Sequence, residues 1–537
     1  MPASVATRGV FRFLRAALVV GVLAAGHPSA AAPVTAAAAA KDAPIAWREL
    51  DAAAFTRARA EGRLVLIDGS AEWCHWCHVM DATTYRDPAV RRLLDASFVP
   101  VRVDIDEKPD FEERYRESGW PATVILSADG AEVGRYKGYQ PPAKFIAILR
   151  SALTSRPATG GTKPAPTPPT ARVSERDLAE VAAWTSQTLD GLWDAEQGGW
   201  GTPQKLPLAW DNAWMFDRAR RHDGTHALEQ VLFTLDQQRK IIDPVWGGLC
   251  QYSTDADWLH PHFEKLVAMQ AGAIDNFATA YALTGDAAWL ATARQVRGFV
   301  DRFMTGPDGA FYATMDADLD AHDPSRTPVS GHDYYARDDA DRRALGIPRV
   351  DRHEYPRENG LVIAAFTTLG EVSSDAGAIA AAERAAAHML ATHGTDRGGL
   401  THLEGDPGPV LYLADAAGFG FGLMRLYEAT HAAAHLQAAA RIAAFLLREL
   451  AAPGGGFFES TPSPDAVGVL AERRVPFEDD VMAARFLARL ARAAPSEAYR
   501  DAIAGAIAAV ATHQAIDDRG RMIGDLLLAL EETRGLR

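Results

Sequence analysis

A run of prolines, threonines and glycines over 156–172 divides this chain of 537 residues into two segments with different periodicities. Such a run is a semi-rigid, extended linker and marks a domain boundary. The chain is also too long for one hydrophobic core, so two or three domains are expected. Before the linker, from 46 to 154, short apolar runs alternate with helical patterns. Leu64–Asp68, Phe98–Asp104 and Ala122–Leu126 read as strands, with Asp129-Gly130 as a hairpin turn and Glu132–Tyr136 as its return. Helices are expected over Cys74–Tyr85, from Pro88 to Leu94, over Pro109–Glu117 and over Pro142–Leu153. This alternation implies a mixed sheet with helices on both faces.

After the linker, long alanine-rich amphipathic helices dominate, among them Asp177–Leu192, Ala268–Leu283, Asn359–Val372, Ala376–Ala391, Ala434–Leu450 and Val481–Ala494. Between them recurs a glycine turn followed by a bulky residue: Gly198-Gly199-Trp200, Gly247-Gly248-Leu249, Gly309-Ala310-Phe311, Gly398-Gly399-Leu400 and Gly455-Gly456-Phe457. About one helical hairpin separates each turn from the next, which predicts a closed α/α toroid with the turns at one rim. The competing reading is an irregular helical domain whose glycines only stop helices.

The N-terminus carries a targeting pattern. Arg8, Arg12 and Arg15 precede the apolar stretch Ala16–Gly26, and Ser29-Ala30-Ala31-Ala32 supplies small residues for cleavage. Residues 1–32 are therefore expected to be a signal peptide, and the protein to work in the periplasm or outside the cell, with an uncleaved membrane anchor as the alternative. Hydrophobic residues make up 48% and charged residues 23%, ordinary for a globular chain. A net charge of −15 argues against a nucleic-acid partner, which needs a basic face. Three cysteines are too few for a disulfide-stapled scaffold. Cys250 reads as a small buried residue.

Cys74-His75-Trp76-Cys77-His78 is the motif that bears chemistry. Two cysteines three apart, where a strand gives way to a helix, form a dithiol that can close into a disulfide. The exposed N–H groups and dipole of a helix N-terminus stabilise the first thiolate, as thiol–disulfide exchange requires. The same residues spell the attachment pattern for a c-type haem. A metal site on Cys74, Cys77, His75 and His78 has suitable ligand types, but no second ligand pair lies nearby in sequence. His78 itself reads most simply as a partly exposed helix histidine.

Asp68-Gly69-Ser70-Ala71-Glu72-Trp73-Cys74-His75-Trp76-Cys77 resembles the active-site strand and loop of thioredoxin, and Gly119-Trp120-Pro121-Ala122-Thr123 resembles the loop bearing its cis-proline. The resemblance implies a thioredoxin-like domain, over 41–155, and a role for each residue. Cys74, with its sulfur exposed, would attack a substrate disulfide, and the more buried Cys77 would resolve the mixed disulfide. His75, when protonated, would stabilise the Cys74 thiolate. Asp68, a carboxyl in an apolar strand, would accept the Cys77 proton; its simpler reading is a turn-forming residue before Gly69. Pro121 would hold backbone against the substrate. Trp76 and Trp120 would support the site, and Trp73 would be either rim or core.

The whole chain resembles the spermatogenesis-associated thioredoxin-domain family, a thioredoxin-like domain followed by a six-hairpin, glycosidase-like (α/α)6 toroid, here over 173–537. Cys74 to Met80 carries the resemblance, as do Gly198-Gly199-Trp200-Gly201 with Lys205 and Pro207. Gly247-Gly248 with Tyr252-Ser253-Thr254-Asp255, Trp258, Pro261 to Lys265 and Asp316-Ala317-Asp318 follow in order. The chain departs from the family where Met269 stands in place of an aspartate, in a shorter loop before Trp120, and in lacking an evident Ser-Gly-Asn stretch. Pro261 suits a helix start, which would put His262, Glu264 and Lys265 in a first turn facing a cavity. Glycoside cleavage needs two converging carboxyl groups, and Glu264, Asp316, Asp318 and Glu358 are the candidates, with Tyr252 beside them. The simpler reading makes Glu264 a helix cap and the Asp pair a satisfier of loop N–H groups. Trp193, Trp200, Trp246 and Trp258 would either stack on sugar rings or fill the core.

The expected function is an exported thiol–disulfide oxidoreductase whose partner is a protein thiol or disulfide, with the toroid holding a partner or a carbohydrate. The first alternative is a carbohydrate-active or carbohydrate-binding protein with a regulatory thioredoxin-like domain, and the remote one a c-type haem protein. The leading reading needs no cofactor or metal. An exported reductase would draw electrons from a partner at the membrane.

Overall fold

A computed structural model describes residues 44–155, 173–223, 226–323, 325–405, 408 and 410–537. The expected signal peptide and the linker at 156–172 lie outside the described residues. In the first domain, helix α1 (Ala52–Glu61) leads into strand β1 (Leu64–Ser70), helix α2 (His75–Ala82), helix α3 (Pro88–Ser97) and strand β2 (Phe98–Asp104). Helix α4 (Pro109–Tyr115), the hairpin β3 (Ala122–Leu126) and β4 (Glu132–Lys137), and helix α5 (Pro142–Thr154) complete it.

The sheet has the order β2-β1-β3-β4, with β1 parallel to β2 and antiparallel to β3. Alternate residues of β1 point to opposite faces. Val65 and Ile67 join Phe55 of α1 and Phe111 of α4 in one core. Leu66 joins Val90 of α3 and Phe145 of α5 in another. This is the mixed, doubly covered sheet that the alternation predicts. Strand β1 runs two residues beyond its expected end, so Asp68 sits inside the strand, paired with Arg102 and Thr123 in register, and not in a turn. The expected helix over Cys74–Tyr85 ends at Ala82, and a 3-10 turn covers Thr84–Arg86. Asp87 caps α3 by accepting from the Ala89 and Val90 amides, at 2.7 and 3.1 Å.

The toroid begins with α6 (Glu175–Leu192), α7 (Ala209–Arg220) and α8 (Ala227–Gln238). Short strands β5 (Tyr252–Ser253), β6 (Pro261–His262) and β7 (Lys265–Leu266) precede α9 (Val267–Thr284) and α10 (Ala287–Phe303). Strand β8 (Thr314–Met315), short helices α11 (Gly331–Tyr335) and α12 (Asp339–Leu345), and strand β9 (Val350–Asp351) precede α13 (Pro356–Ser373) and α14 (Ala376–Thr392). Helices α15 (Leu413–Thr430), α16 (Ala433–Phe445, extended by a π turn to Leu450), α17 (Phe477–Ala493), α18 (Glu497–Val510), α19 (His513–Arg519) and α20 (Gly524–Glu532) follow.

Helices α7, α9, α13, α15, α17 and α20 touch in cyclic order, each the neighbour of the next and α20 of α7. An outer helix backs each of them: α8 on α7, α10 on α9, α14 on α13, α16 on α15, α18 on α17 and α6 on α20. The toroid is thus closed by six hairpins. Each glycine turn is pinched by an antiparallel bridge: Trp193 to Trp200, Ile242 to Leu249, Thr305 to Phe311, Gly394 to Leu400 and Ala451 to Phe457. In three of them a buried side chain of the following inner helix accepts the amide of the bulky residue: Gln270 from Leu249 (2.7 Å), Asn359 from Phe311 (2.8 Å) and Asp480 from Phe457 (2.8 Å). The turns therefore anchor one helix pair to the next and are more than helix stops. Trp200, Trp246 and Trp258 are at most 1% exposed, so they fill the core and do not present a sugar platform; Trp193 is half-buried.

Residues 45–537 form one compact unit. The toroid residues that meet the thioredoxin-like domain lie between an outer helix and the next inner one, or in that inner helix's first turn. The Val469 amide donates to Gly130 O at 3.0 Å, Arg519 pairs with Glu113 at 3.4 Å, and Glu478 pairs with Arg116. The domain therefore sits on the rim where the glycine turns gather.

Candidate functional site

Cys74 caps the N-terminus of α2, its sulfur accepting the Cys77 amide at 3.2 Å, and the two cysteines are joined as a disulfide. The Trp120–Pro121 peptide is cis, matching what the resemblance to thioredoxin implies. The expected exposure of Cys74 is not found: Cys74 and Cys77 are 4% and 5% exposed. The reason is tertiary. The toroid covers the face of α2 that a free thioredoxin-like domain would leave open, and brings four of the predicted residues to it. Asp318 Oδ2 lies 2.6 Å from His75 Nδ1, and Glu264 Oε1 lies 3.4 Å from the His75 amide. The His262 ring lies 5.7 Å from that of His75, edge to face, and is stacked on Tyr252 at 4.6 Å.

The electrostatics follow from this packing. The hydrogen bond to Asp318 raises the His75 pKa above its ordinary value, against the effect of burial. Burial pushes the Asp318 carboxyl up, but His75 and His78 outweigh it and hold it far below the usual carboxylate range. The pairing with Asp318 thus favours the protonated form of His75 beside the α2 N-terminus, where a Cys74 thiolate would form.

Asp68 is 1% exposed. Burial raises its pKa although Arg102 opposes the shift. Its Oδ1 accepts from Tyr85 Oη at 2.9 Å, and Oδ2 pairs with Arg102 Nη2 at 2.9 Å. Both oxygens are committed, so a proton arriving from Cys77 would displace a hydrogen bond or weaken the ion pair. Trp73 proves to be core: it is 7% exposed and its Nε1 donates to Asp106 at 2.6 Å. Trp76 is 43% exposed, stacked on Tyr139, and forms the outer edge of the site. Trp120 is half-buried and would meet any side chain placed at Gly69.

Other expectations fail for identifiable reasons. Pro261 does not start a helix. Pro261–His262 pairs with Tyr252–Ser253, Lys265–Leu266 pairs with β8, and α9 starts at Val267. Glu264 therefore caps no helix of its own and accepts from His262 Nδ1 at 2.8 Å. Lys265 faces no cavity: it is fully buried, its Nζ 3.1 Å from Cys250 Sγ and 4.3 Å from the Tyr335 ring centre. Cys250 is accordingly buried against a cation and is not merely apolar filling. His78 is the partly exposed helix histidine expected, and the toroid in addition places Asp316 and Asp318 within 3.8 Å of its ring nitrogens.

The four candidate carboxylates do not converge. Glu264, Asp316 and Asp318 gather at the dithiol. Glu358 lines a separate cavity of about 440 Å³, with Asp415, Glu478 and Asp479 of the toroid, Trp73 and Trp120 of the thioredoxin-like domain, and Met269. Burial lifts the Asp479 pKa to about 6, while Arg116 and Arg357 pull against it. Sequence reasoning missed His402, whose Nδ1 pairs with Asp415 at 2.9 Å and whose Nε2 donates to Asp106 O at 2.6 Å, tying a thioredoxin-domain loop to the toroid. It also missed His322, which no spacing relative to the cysteine motif could have indicated.

Comparison with known proteins agrees with this architecture. The family described as "Thioredox_DsbH: Protein of unknown function, DUF255" matches residues 35–150. Spermatogenesis-associated protein 20 of Homo sapiens is 29% identical over 310 residues, covering 51% of this chain and 39% of that protein. The chain thus spans about two fifths of the length of that relative. A thioredoxin H-type of Fagopyrum esculentum is 34% identical over 84 residues, which are 16% of this chain and 68% of that protein. A D-mannose isomerase crystal structure superposes with a TM-score of 0.50 at 11% identity, covering 69% of this chain and 99% of that one, and so shares the toroid fold alone. With its thioredoxin-like domain set on a six-hairpin toroid, the chain is similar to spermatogenesis-associated protein 20 over about half of its length, and its first domain matches the Thioredox_DsbH family.

Proposed function

We propose that the chain is a thiol–disulfide oxidoreductase acting through Cys74 and Cys77. The observation that carries this reading is the bonded pair at the N-terminus of α2, with cis-Pro121 in the same domain. In the reduced protein the Cys74 thiolate attacks a substrate disulfide. A Cys74–substrate bond forms as the substrate's own S–S bond breaks, and one substrate thiolate leaves. Cys77 then attacks Cys74, re-forming the internal disulfide and releasing the second substrate thiol. Two electrons pass to the substrate, and the reverse sequence oxidises a dithiol. The helix N-terminus and the His75 imidazolium favour Cys74 as thiolate and as leaving group.

Burial of the pair restricts the substrate. Cys74 is 4% exposed, with the rings of Trp76 and His262 set against its neighbour His75, which suits a small thiol or an extended peptide better than a folded protein surface. We propose, further, that residues 1–32 direct export and that a membrane partner exchanges electrons with the pair. A second reading is favoured by the cavity at Trp73, Trp120, Glu358 and Asp479: it would hold a carbohydrate, sensed or processed alongside the dithiol.

The test is equilibration of the purified protein in graded thiol buffers followed by alkylation. The expected result is a reversible two-electron transition that disappears in Cys74→Ser. Cysteines that stay unreactive across the series would rule the exchange reading out and leave the toroid cavity as the functional centre.

A further inference from the structure

The proposed exchange chemistry leaves His78, Asp316 and His322 unused, and these residues make an arrangement of their own. His78 lies on α2, one turn beyond Cys74, and the other two lie on or beside the loop that follows β8. The two rings meet edge to face with centres 4.6 Å apart. Both bring Nε2 to the Glu72 carbonyl oxygen, at 3.0 Å for His78 and 2.9 Å for His322. Asp316 Oδ2 lies 3.0 Å from His322 Nε2 and 3.8 Å from His78 Nε2. The ligand atoms of His78, Asp316 and His322 all lie within 4.8 Å of one another, with the Glu72 carbonyl oxygen against both rings.

Hydrogen bonds alone serve this group poorly. A single N–H at His322 Nε2 faces two acceptors, and one carbonyl receives two rings. The buried Nδ1 of His78 has no hydrogen-bond partner. The separations of 2.9 to 3.8 Å instead bracket the roughly 3.3 Å edge of a tetrahedron whose corners lie about 2.0–2.1 Å from a central ion. A cation there would replace the Nε2 protons and turn both lone pairs inward. His78 Nδ1–H would then donate toward Asp318 Oδ2, now 3.8 Å away. A carboxylate on the far nitrogen is the usual support for a ligating histidine. Two imidazoles with one carboxylate suit a borderline divalent ion such as Zn²⁺ better than Ca²⁺ or Mg²⁺, which take oxygen ligands.

We propose that His78, His322, Asp316 and the Glu72 carbonyl hold one Zn²⁺ ion, clasping α2 of the thioredoxin-like domain to the toroid. The cysteines take no part, and the proposal stands apart from the exchange chemistry. The test is calorimetric titration of Zn²⁺ alone into the full chain with Cys74–Cys77 oxidised, which removes thiolates as competing ligands. The expected result is one ion per chain, held at least tenfold less tightly in His322→Ala and Asp316→Asn. His260→Ala, at an exposed histidine away from the cluster, should leave binding unchanged. Circular dichroism reports whether each variant folds. His322→Gln, at a partly exposed ring, decides the matter alone if Asp316→Asn does not fold. No stoichiometric binding, or binding as tight in His322→Ala or His322→Gln as in the unsubstituted chain, overturns the proposal.

Discussion

The thioredoxin-like domain and the toroid place their reactive groups in opposite ways. The first concentrates them in one continuous stretch, Asp68 to His78, running from a strand into the next helix. The second spreads them over segments between its helix pairs: Tyr252, Glu264 and Asp318 come together at α2, while His402 reaches Asp106 elsewhere on the same rim. The difference teaches what each fold supplies. The α/β domain builds a reagent from local geometry, a helix N-terminus with a sulfur on it. The toroid is a frame whose rim delivers charge to whatever sits above it.

Buried ion pairs sharpen this contrast, and four substitutions test it. The largest effect is expected at Arg342→Ala. Arg342 and Asp243 are 0% and 1% exposed as a pair at 2.6 Å, and removing the arginine strands a buried carboxylate. A loss of about 4 kcal/mol is expected in chemical denaturation of the toroid. Next comes Gly360→Ala, because a Cβ there would overlap the Gly418 carbonyl where α13 and α15 cross. About 3 kcal/mol should be lost, without any change in thiol chemistry. Arg102→Ala, in the thioredoxin-like domain, should cost about 2 kcal/mol, less than its toroid counterpart because the Arg102 side chain is 31% exposed. An equal loss in Arg342→Ala and Arg102→Ala would break the comparison.

The smallest effect concerns the seam. His75 has a raised pKa, so its contribution is complete below the unfolded value near 6.5 and fades as pH rises through the folded value. Asp318 has a lowered pKa, so its contribution is present above the unfolded value near 3.8 and fades as pH falls through the folded value. The contact should therefore hold across mildly acidic to neutral pH and weaken at both ends. In Asp318→Asn, the NMR titration of His75 should move down toward 6.5. An unmoved titration would show that Asp318 does not hold the ring.

Most of the fold was legible because it rests on periodicity. Val65, Leu66 and Ile67 already assign the two faces of β1, and the glycine turns mark where outer helices end. Helix boundaries erred by a few residues where caps and 3-10 turns decide them, as at Ala82. The larger error, a helix from Pro261, came from reading a local preference of proline where the pairing of Tyr252–Ser253 with Pro261–His262 prevails. Lys265 shares a motif with Glu264, and Glu358 is a candidate only as a further carboxyl group, yet β7 turns Lys265 into the core and α13 carries Glu358 to a different cavity.

From the sequence alone came the dithiol, its helix terminus, the buried acid before it and the ring of helices, since each depends on neighbours a few residues away or on a repeated period. Closure of the ring over α2 belonged to the tertiary structure. It buried Cys74, set His75 against Asp318, which raises the His75 pKa, and drew His78 toward His322, 244 positions away. Such meetings depend on how helices pack and where loops land, and no periodicity within either segment encodes a distance between them.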